Sequence, residues 1–358
     1  MKKNQITLLE NLVMIPSPSG YEEEIAEFIK HRLLKFMPKS KVSVDFQNNV
    51  TAVIEGTSDK VVMIDAHLDQ VGFAVVNVDR KGFISLKYIG GGDISILSAR
   101  DLTILTDKGP VNAVVNRRHA HLVEDEEDAN VSDLIEAAVD IGPRSRKKVL
   151  SAVKIGDPVV YRAPFTHLRE SFYTGPGMDD KAGCYVLLET IKEIVKSKKK
   201  PVPTLVFTFS GQEETWGRKL RPLLKKYKPD LFIEVDVTFA TDWEDEDDLQ
   251  REVGRCDLCA GPVIYRGVEI DKSCFKLVSS VARTQKIKTQ VQASAGSIGY
   301  TSTEVTHEGD GIKALILGIP LRNMHTPVEI VNFRDLTYTT RLLTEFLLHR
   351  RIEKVLER

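Results

Sequence analysis

The chain has 358 residues, with 50 Lys+Arg against 51 Asp+Glu and a formal net charge of −1; that balance excludes a strong general pull toward nucleic acid or an anionic membrane surface. Its 42% hydrophobic and 28% charged residues are ordinary for a soluble globular protein, no apolar run reaches membrane-spanning length, and the start Met1-Lys2-Lys3-Asn4-Gln5-Ile6-Thr7 has no apolar stretch to make a secretory signal. Four cysteines are too few for a disulfide scaffold and fit a reducing, cytoplasmic setting, while the length allows two domains or one with a large insertion.

In chain order, a first helix is predicted over residues 5–14. Ser19-x-x-Glu22 reads as a capping box that opens a second helix to about residue 36. Residues 42–46 and 50–54 read as a hairpin, and 61–65 as a continuous apolar strand of a sheet covered on both faces. From about Val71 to Ala163 the texture changes to short alternating strands at 73–76, 83–88, 101–106, 111–116 and 159–161. Polar and glycine-rich turns divide them, notably Ile89-Gly90-Gly91-Gly92. This is the pattern of a small β barrel or sandwich. The acidic run 124–128 reads as a solvated loop.

After Gly175 an α/β pattern returns. Helices are predicted at 182–195, 218–227, 274–283 and 333–349, and strands at 205–209, 231–237, 288–293 and 313–317. The expected fold class is therefore α/β, interrupted by a β insertion. Cys256-Asp257-Leu258-Cys259 is a lone CxxC. A structural zinc site wants a second pair, so free thiols or one local disulfide are expected there.

Five segments carry residues that metals favour, each at or just past the end of a predicted strand. They are Ala66-His67-Leu68-Asp69, Met178-Asp179-Asp180-Lys181, Gln212-Glu213-Glu214, Val235-Asp236-Val237 and Met324-His325-Thr326-Pro327. Each has a plainer reading alone. His67 could be a core histidine with Asp69 fixing its tautomer, Asp179 a helix N-cap, Glu213 and Glu214 acids favoured at a helix start, and His325 a loop residue. Asp236 inside an apolar strand is harder to dismiss, because a buried unpaired carboxylate is costly. Jointly, all five converge on the carboxyl edge of one sheet, where open α/β sheets place their chemistry. Two imidazoles and three carboxylates form a mixed N/O set suited to zinc, cobalt or manganese. One acid is left over as a base, which is the inventory of a two-metal hydrolase.

These motifs resemble the M42 metallo-aminopeptidases, a family that includes glutamyl and tetrahedral (TET) aminopeptidases. The matching stretches are Ala66-His67-Leu68-Asp69-Gln70-Val71-Gly72-Phe73, Asp179-Asp180-Lys181-Ala182-Gly183-Cys184, Gln212-Glu213-Glu214, Val235-Asp236-Val237-Thr238 and Arg322-Asn323-Met324-His325-Thr326-Pro327. The resemblance implies a zinc-aminopeptidase-like α/β/α sandwich with a mixed sheet, formed by residues 1–69 and 164–358. It implies a PDZ-like β barrel for dimerisation at 70–163.

Carried across, His67 and Asp236 bind one divalent ion, Glu214 and His325 bind another, and Asp179 bridges them; zinc or cobalt is the expected metal. Glu213 is the general base, with Asp69 orienting His67, and the Asp179–Asp180 peptide is expected to be cis. Short peptides are the implied substrates, and a homo-oligomer is implied, a dimer at least, with family members often building dodecamers. The chain departs from the family pattern at Ile298-Gly299-Tyr300-Thr301-Ser302, which lacks the usual aspartate, and over residues 239–261. Those departures leave the preferred N-terminal residue open.

Three rival readings are weaker. An M20-like carboxypeptidase or amidohydrolase usually has Pro where this chain has Gly72, and carries its insertion after the glutamates. A glycosidase needs carboxylates facing each other across a sugar, about 5–10 Å apart, and leaves both histidines without a role. A non-catalytic scaffold would keep many acids together without cations, which is costly.

Overall fold

A computed structural model describes residues 3–122, 133–215, 220–243, 246–295, 301, 305–309 and 311–357. The acidic run 124–128, residues 216–219, 244–245, 298–300 and 302 lie outside the described residues. Among the described residues, seventeen strands follow in chain order. They are β1 (Val42–Val44), β2 (Val50–Ile54), β3 (Val61–His67), β4 (Gly72–Val78), β5 (Ile84–Ile89), β6 (Asp101–Thr106), β7 (Gly109–Val115), β8 (Val139–Asp140) and β9 (Pro158–Tyr161). There follow β10 (Thr166–His167), β11 (Phe172–Gly175), β12 (Thr204–Ser210), β13 (Leu231–Phe239), β14 (Val263–Gly267), β15 (Gln290–Ser294), β16 (Lys313–Arg322) and β17 (Glu329–Asn332).

Eleven of these form one mixed sheet in the order β1-β2-β12-β3-β13-β16-β17-β11-β10, with β14 pairing β15 and β16. The centre is parallel: β12 with β3, β3 with β13, and β13 with β16. The edges are antiparallel, as at β2 with β12 and β16 with β17. The central strands are apolar runs because both faces are covered. Ile64, Ala66, Ile233, Val235 and Val237 belong to the main core. That core includes Ala182, Val186 and Ile191 of the helix Met178–Ser197, and Leu336, Leu343 and Phe346 of the helix Phe333–Leu347. The other six strands close a barrel, β4-β5-β8-β7-β6-β9, around its own core of Phe73, Val75, Leu86, Leu102, Ile104 and Val159.

Several expectations are corrected. The first two helices run Lys3–Val13 and Glu23–Leu33. The capping box does not form: the Ser19 hydroxyl donates to Asp69 at 2.5 Å, and Glu22 accepts from the amides of Gly20 and Gln212. The helix predicted from residue 218 is described as Arg221–Tyr227. The strand predicted at 313–317 continues to Arg322, and the one at 231–237 to Phe239. All four cysteines are free thiols, so the local disulfide is not made.

Candidate metal centre

Alternation along three parallel strands builds the site. Met63, Asp65 and His67 share one face of β3; Val206, Thr208 and Ser210 share one face of β12; Phe232, Glu234 and Asp236 share one face of β13. Register sets Thr208 opposite Asp65, Ser210 opposite His67 and Glu234 opposite Asp65. Toward the amino ends this face is apolar, with Met63, Val206 and Phe232 packed among Leu220, Leu223 and Leu224. Toward the carboxyl ends it is polar and still buried. Asp65 in the middle layer accepts the hydroxyls of Thr208 at 2.5 Å and Ser210 at 2.7 Å. Burial pushes its carboxyl up to about 6 despite those bonds.

The outer layer holds the chemistry. His67 ends β3, with Nδ1 3.0 Å from the Asp69 carbonyl oxygen and 3.4 Å from the Asp69 carboxylate. Its Nε2 lies 3.0 Å from Asp179 Oδ1, 3.8 Å from Asp236 Oδ1 and 4.0 Å from Glu213 Oε2. His325 has Nε2 3.3 Å from Asp179 Oδ2 and 3.3 Å from Glu214 Oε2. Asp179 therefore offers one carboxylate oxygen to each imidazole. It lies in the first turn of Met178–Ser197, where Asp179 and Asp180 leave helical backbone, and the Asp179–Asp180 peptide is cis.

The electrostatics describe an acid-rich pocket held by two imidazoles. Burial pushes Glu213 up to about 8, with neighbouring Glu234 and Glu214 adding to it. Burial and Asp179 raise Glu214, and burial and Asp180 raise Asp236 well above the carboxylate range. Burial alone lowers a histidine, but the bonds from Asp179 and Glu214 outweigh it and lift His325 to about 11. His67 is likewise raised, against its burial, by Asp179 and Asp69.

The donor set fits divalent cations. His67, Asp180 and Asp236 bring ligand atoms within 4.8 Å of one another, and so do His67, Asp179 and Glu214. Glu214 Oε1 and Asp180 Oδ2 are buried with no hydrogen-bond partner among the described residues. Buried, unpaired carboxylate oxygens on acids grouped with two imidazoles are what a cation would satisfy.

All seven residues singled out from the sequence meet here: His67, Asp69, Asp179, Glu213, Glu214, Asp236 and His325. Asp69 touches more than the ring, since its carboxylate accepts the amides of Glu213 and Glu214. Three others were not foreseen. Asp180 joins the group around Asp236. Glu329, four residues past His325, accepts the amide of His325 at 2.8 Å and that of Asp179 at 3.2 Å. Lys181, fully buried, donates to Gln70 Oε1 at 2.5 Å and to the Ile15 carbonyl at 2.7 Å. An acid trailing a candidate histidine and a lysine trailing two aspartates are weak signals in a sequence.

The family model of M42 glutamyl aminopeptidases matches residues 48–342. The chain belongs to the M42 family. It is 28% identical over 342 residues to the lysyl aminopeptidase of Pyrococcus furiosus, covering 95% of this chain and 96% of that one. Its fold is similar to that of a TET aminopeptidase from Thaumarchaeota archaeon SCGC AB-539-E09, with a TM-score of 0.90 at 23% identity over 99% of both chains. The TET1 peptidase of Pyrococcus horikoshii matches with a TM-score of 0.84 at 24% identity, over 96% of this chain and 99% of that one. As an M42 aminopeptidase the protein is a hydrolase, and membership implies divalent metals. The carboxypeptidase and glycosidase readings draw no support from that match. Among the described residues no helix is long and apolar enough to cross a membrane.

Proposed function

We propose that this M42 aminopeptidase removes N-terminal residues from short peptides at a centre of two divalent cations, zinc or cobalt. In this reading His67 and Asp236 hold one cation, Glu214 and His325 hold the other, and Asp179 is shared. The observation that carries it is Asp179, with Oδ1 3.0 Å from His67 and Oδ2 3.3 Å from His325.

When bound, such a pair supplies Lewis acidity, acidifying a water and polarising the scissile carbonyl. The remaining work falls to side chains. Glu213 takes the proton of the attacking water and returns it to the departing amine. Asp69 keeps the His67 ring in place and fixes the two amides that carry Glu213 and Glu214. Glu329 holds the backbone of Asp179 and His325 together.

We also propose that residues 70–163 form the inserted dimerisation unit on a catalytic body of 1–69 and 164–358, and that the protein is a cytoplasmic homo-oligomer built from dimers. The Pyrococcus horikoshii TET1 peptidase can assemble into a tetrahedron or a large octahedral shell, which supports a larger assembly such as a dodecamer. The test of the activity is a panel of aminoacyl-chromogenic substrates after chelation, with and without added cobalt or zinc. The expected result is no hydrolysis by the chelated protein and recovery with metal; full activity after exhaustive chelation would contradict the proposal.

A further inference from the structure

The barrel reaches the metal centre through its glycine-rich turn. Gly90, Gly91 and Gly92 follow β5, and each glycine meets a different neighbour. Gly90 has φ +77, and a Cβ built there would stand 3.3 Å from the Cβ and the carbonyl oxygen of Glu214 and 3.1 Å from Val71. A Cβ on Gly91 would stand 3.3 Å from Nδ1 and 3.6 Å from Cε1 of the His325 ring. A Cβ on Gly92 would fall within the ring of Tyr88. Tyr88 in turn lies 5.1 Å from Phe73 of the barrel core, centroid to centroid. The turn is thus backed by barrel aromatics on one side and faces Glu214 and His325 on the other.

The geometry points to the triglycine turn as a positioning element for Glu214 and His325, through which the seating of the inserted barrel sets one of the two cation positions. This rests on the reading of the site given above. A methyl on Gly91 would press the His325 ring by a few tenths of an ångström, away from the position in which Nε2 lies 3.3 Å from both Asp179 and Glu214. His67 meets the other oxygen of Asp179, Oδ1, and lies 3.8 Å from Asp236, and neither is among the atoms nearest to a Cβ on any of the three glycines. Displacing the turn should therefore weaken one cation and spare the other.

The test is calorimetric titration of the full-length protein with cobalt(II), with bound metal counted after gel filtration. Gly91→Ala keeps a permitted backbone and adds one methyl against His325. The second cobalt equivalent should bind about 10-fold more weakly, as when a group that orients a ligand is disturbed, while the first is unchanged. Gly91→Val should deepen the loss. Gly92→Ala should act indirectly through Tyr88, and Tyr88→Leu in the same chain should restore the second equivalent. Two equivalents of wild-type affinity in Gly91→Ala and Gly91→Val would overturn the role of the turn. Wild-type protein that takes up no cobalt would instead overturn the reading of the site itself.

Discussion

Asp69 Oδ1 accepts a hydrogen bond from the Glu213 amide at 3.0 Å, and its Oδ2 takes the next amide, Glu214, at 3.2 Å. One carboxylate thus fixes the direction in which both glutamates leave the end of β12, and the Ser19 hydroxyl completes it. Asn in its place keeps one acceptor and turns an N–H₂ group toward an amide that needs an acceptor. We predict that Asp69→Asn lowers kcat about 10²-fold, the scale expected of a small misplacement of catalytic groups. Steady-state kinetics at saturating cobalt checks this; unchanged kcat would show that the clamp is dispensable.

Glu213 holds no cation in the proposed scheme and serves as the base. Glu213→Gln keeps the size and removes the basic oxygen. Turnover should fall by about 10²–10⁴, the usual contribution of a positioned general base, with both cations still bound. Metal analysis beside the kinetics separates this from ligand loss; a variant that lost cations would make Glu213 a ligand instead.

Glu329 shares its two oxygens between the amides of His325 and Asp179. Gln cannot accept from both with its carboxamide in one orientation. Glu329→Gln should weaken cation binding by about 10–100-fold, as outer-sphere substitutions do, and excess cobalt should recover part of the activity. Titration of the chelated variant with cobalt measures the shift directly.

Cation uptake should expel protons. Without a cation, burial and neighbouring acids raise the carboxyls of Glu214 and Asp236, which favours their protonated forms. His67 is raised as well, and His325, lifted to about 11, carries a proton across this range. Ligation needs the deprotonated forms. The sign follows: affinity for cobalt rises as pH increases from 6 toward about 8. Calorimetry in two buffers of different ionisation enthalpy should report net proton release, and identical heats in both would refute it.

The site was legible because its acids and histidines sit beside strands buried on both faces, whose apolar runs are unmistakable. β13 shows the limit. The apolar run reads as ending at Val237, yet the strand continues to Phe239 because β16 pairs with it as far as Leu321. The strands β11, β14 and β17 escaped notice, being only four or five residues long. Ser19 and Glu22 carry the pattern of a local cap, but Asp69 and the Gln212 amide, 50 and 190 residues away, claim them. Glu329 acts through a backbone amide 150 residues earlier. No local pattern announces such a bond.

Anomalous diffraction from crystals loaded with cobalt, recorded at the metal's absorption edge, tests the central claim most directly. Two peaks are expected on either side of the Asp179 carboxylate, about 3.5–4 Å apart, one beside His67 and Asp236 and the other beside Glu214 and His325. Peaks elsewhere in the molecule, or none between the two imidazoles, would contradict it.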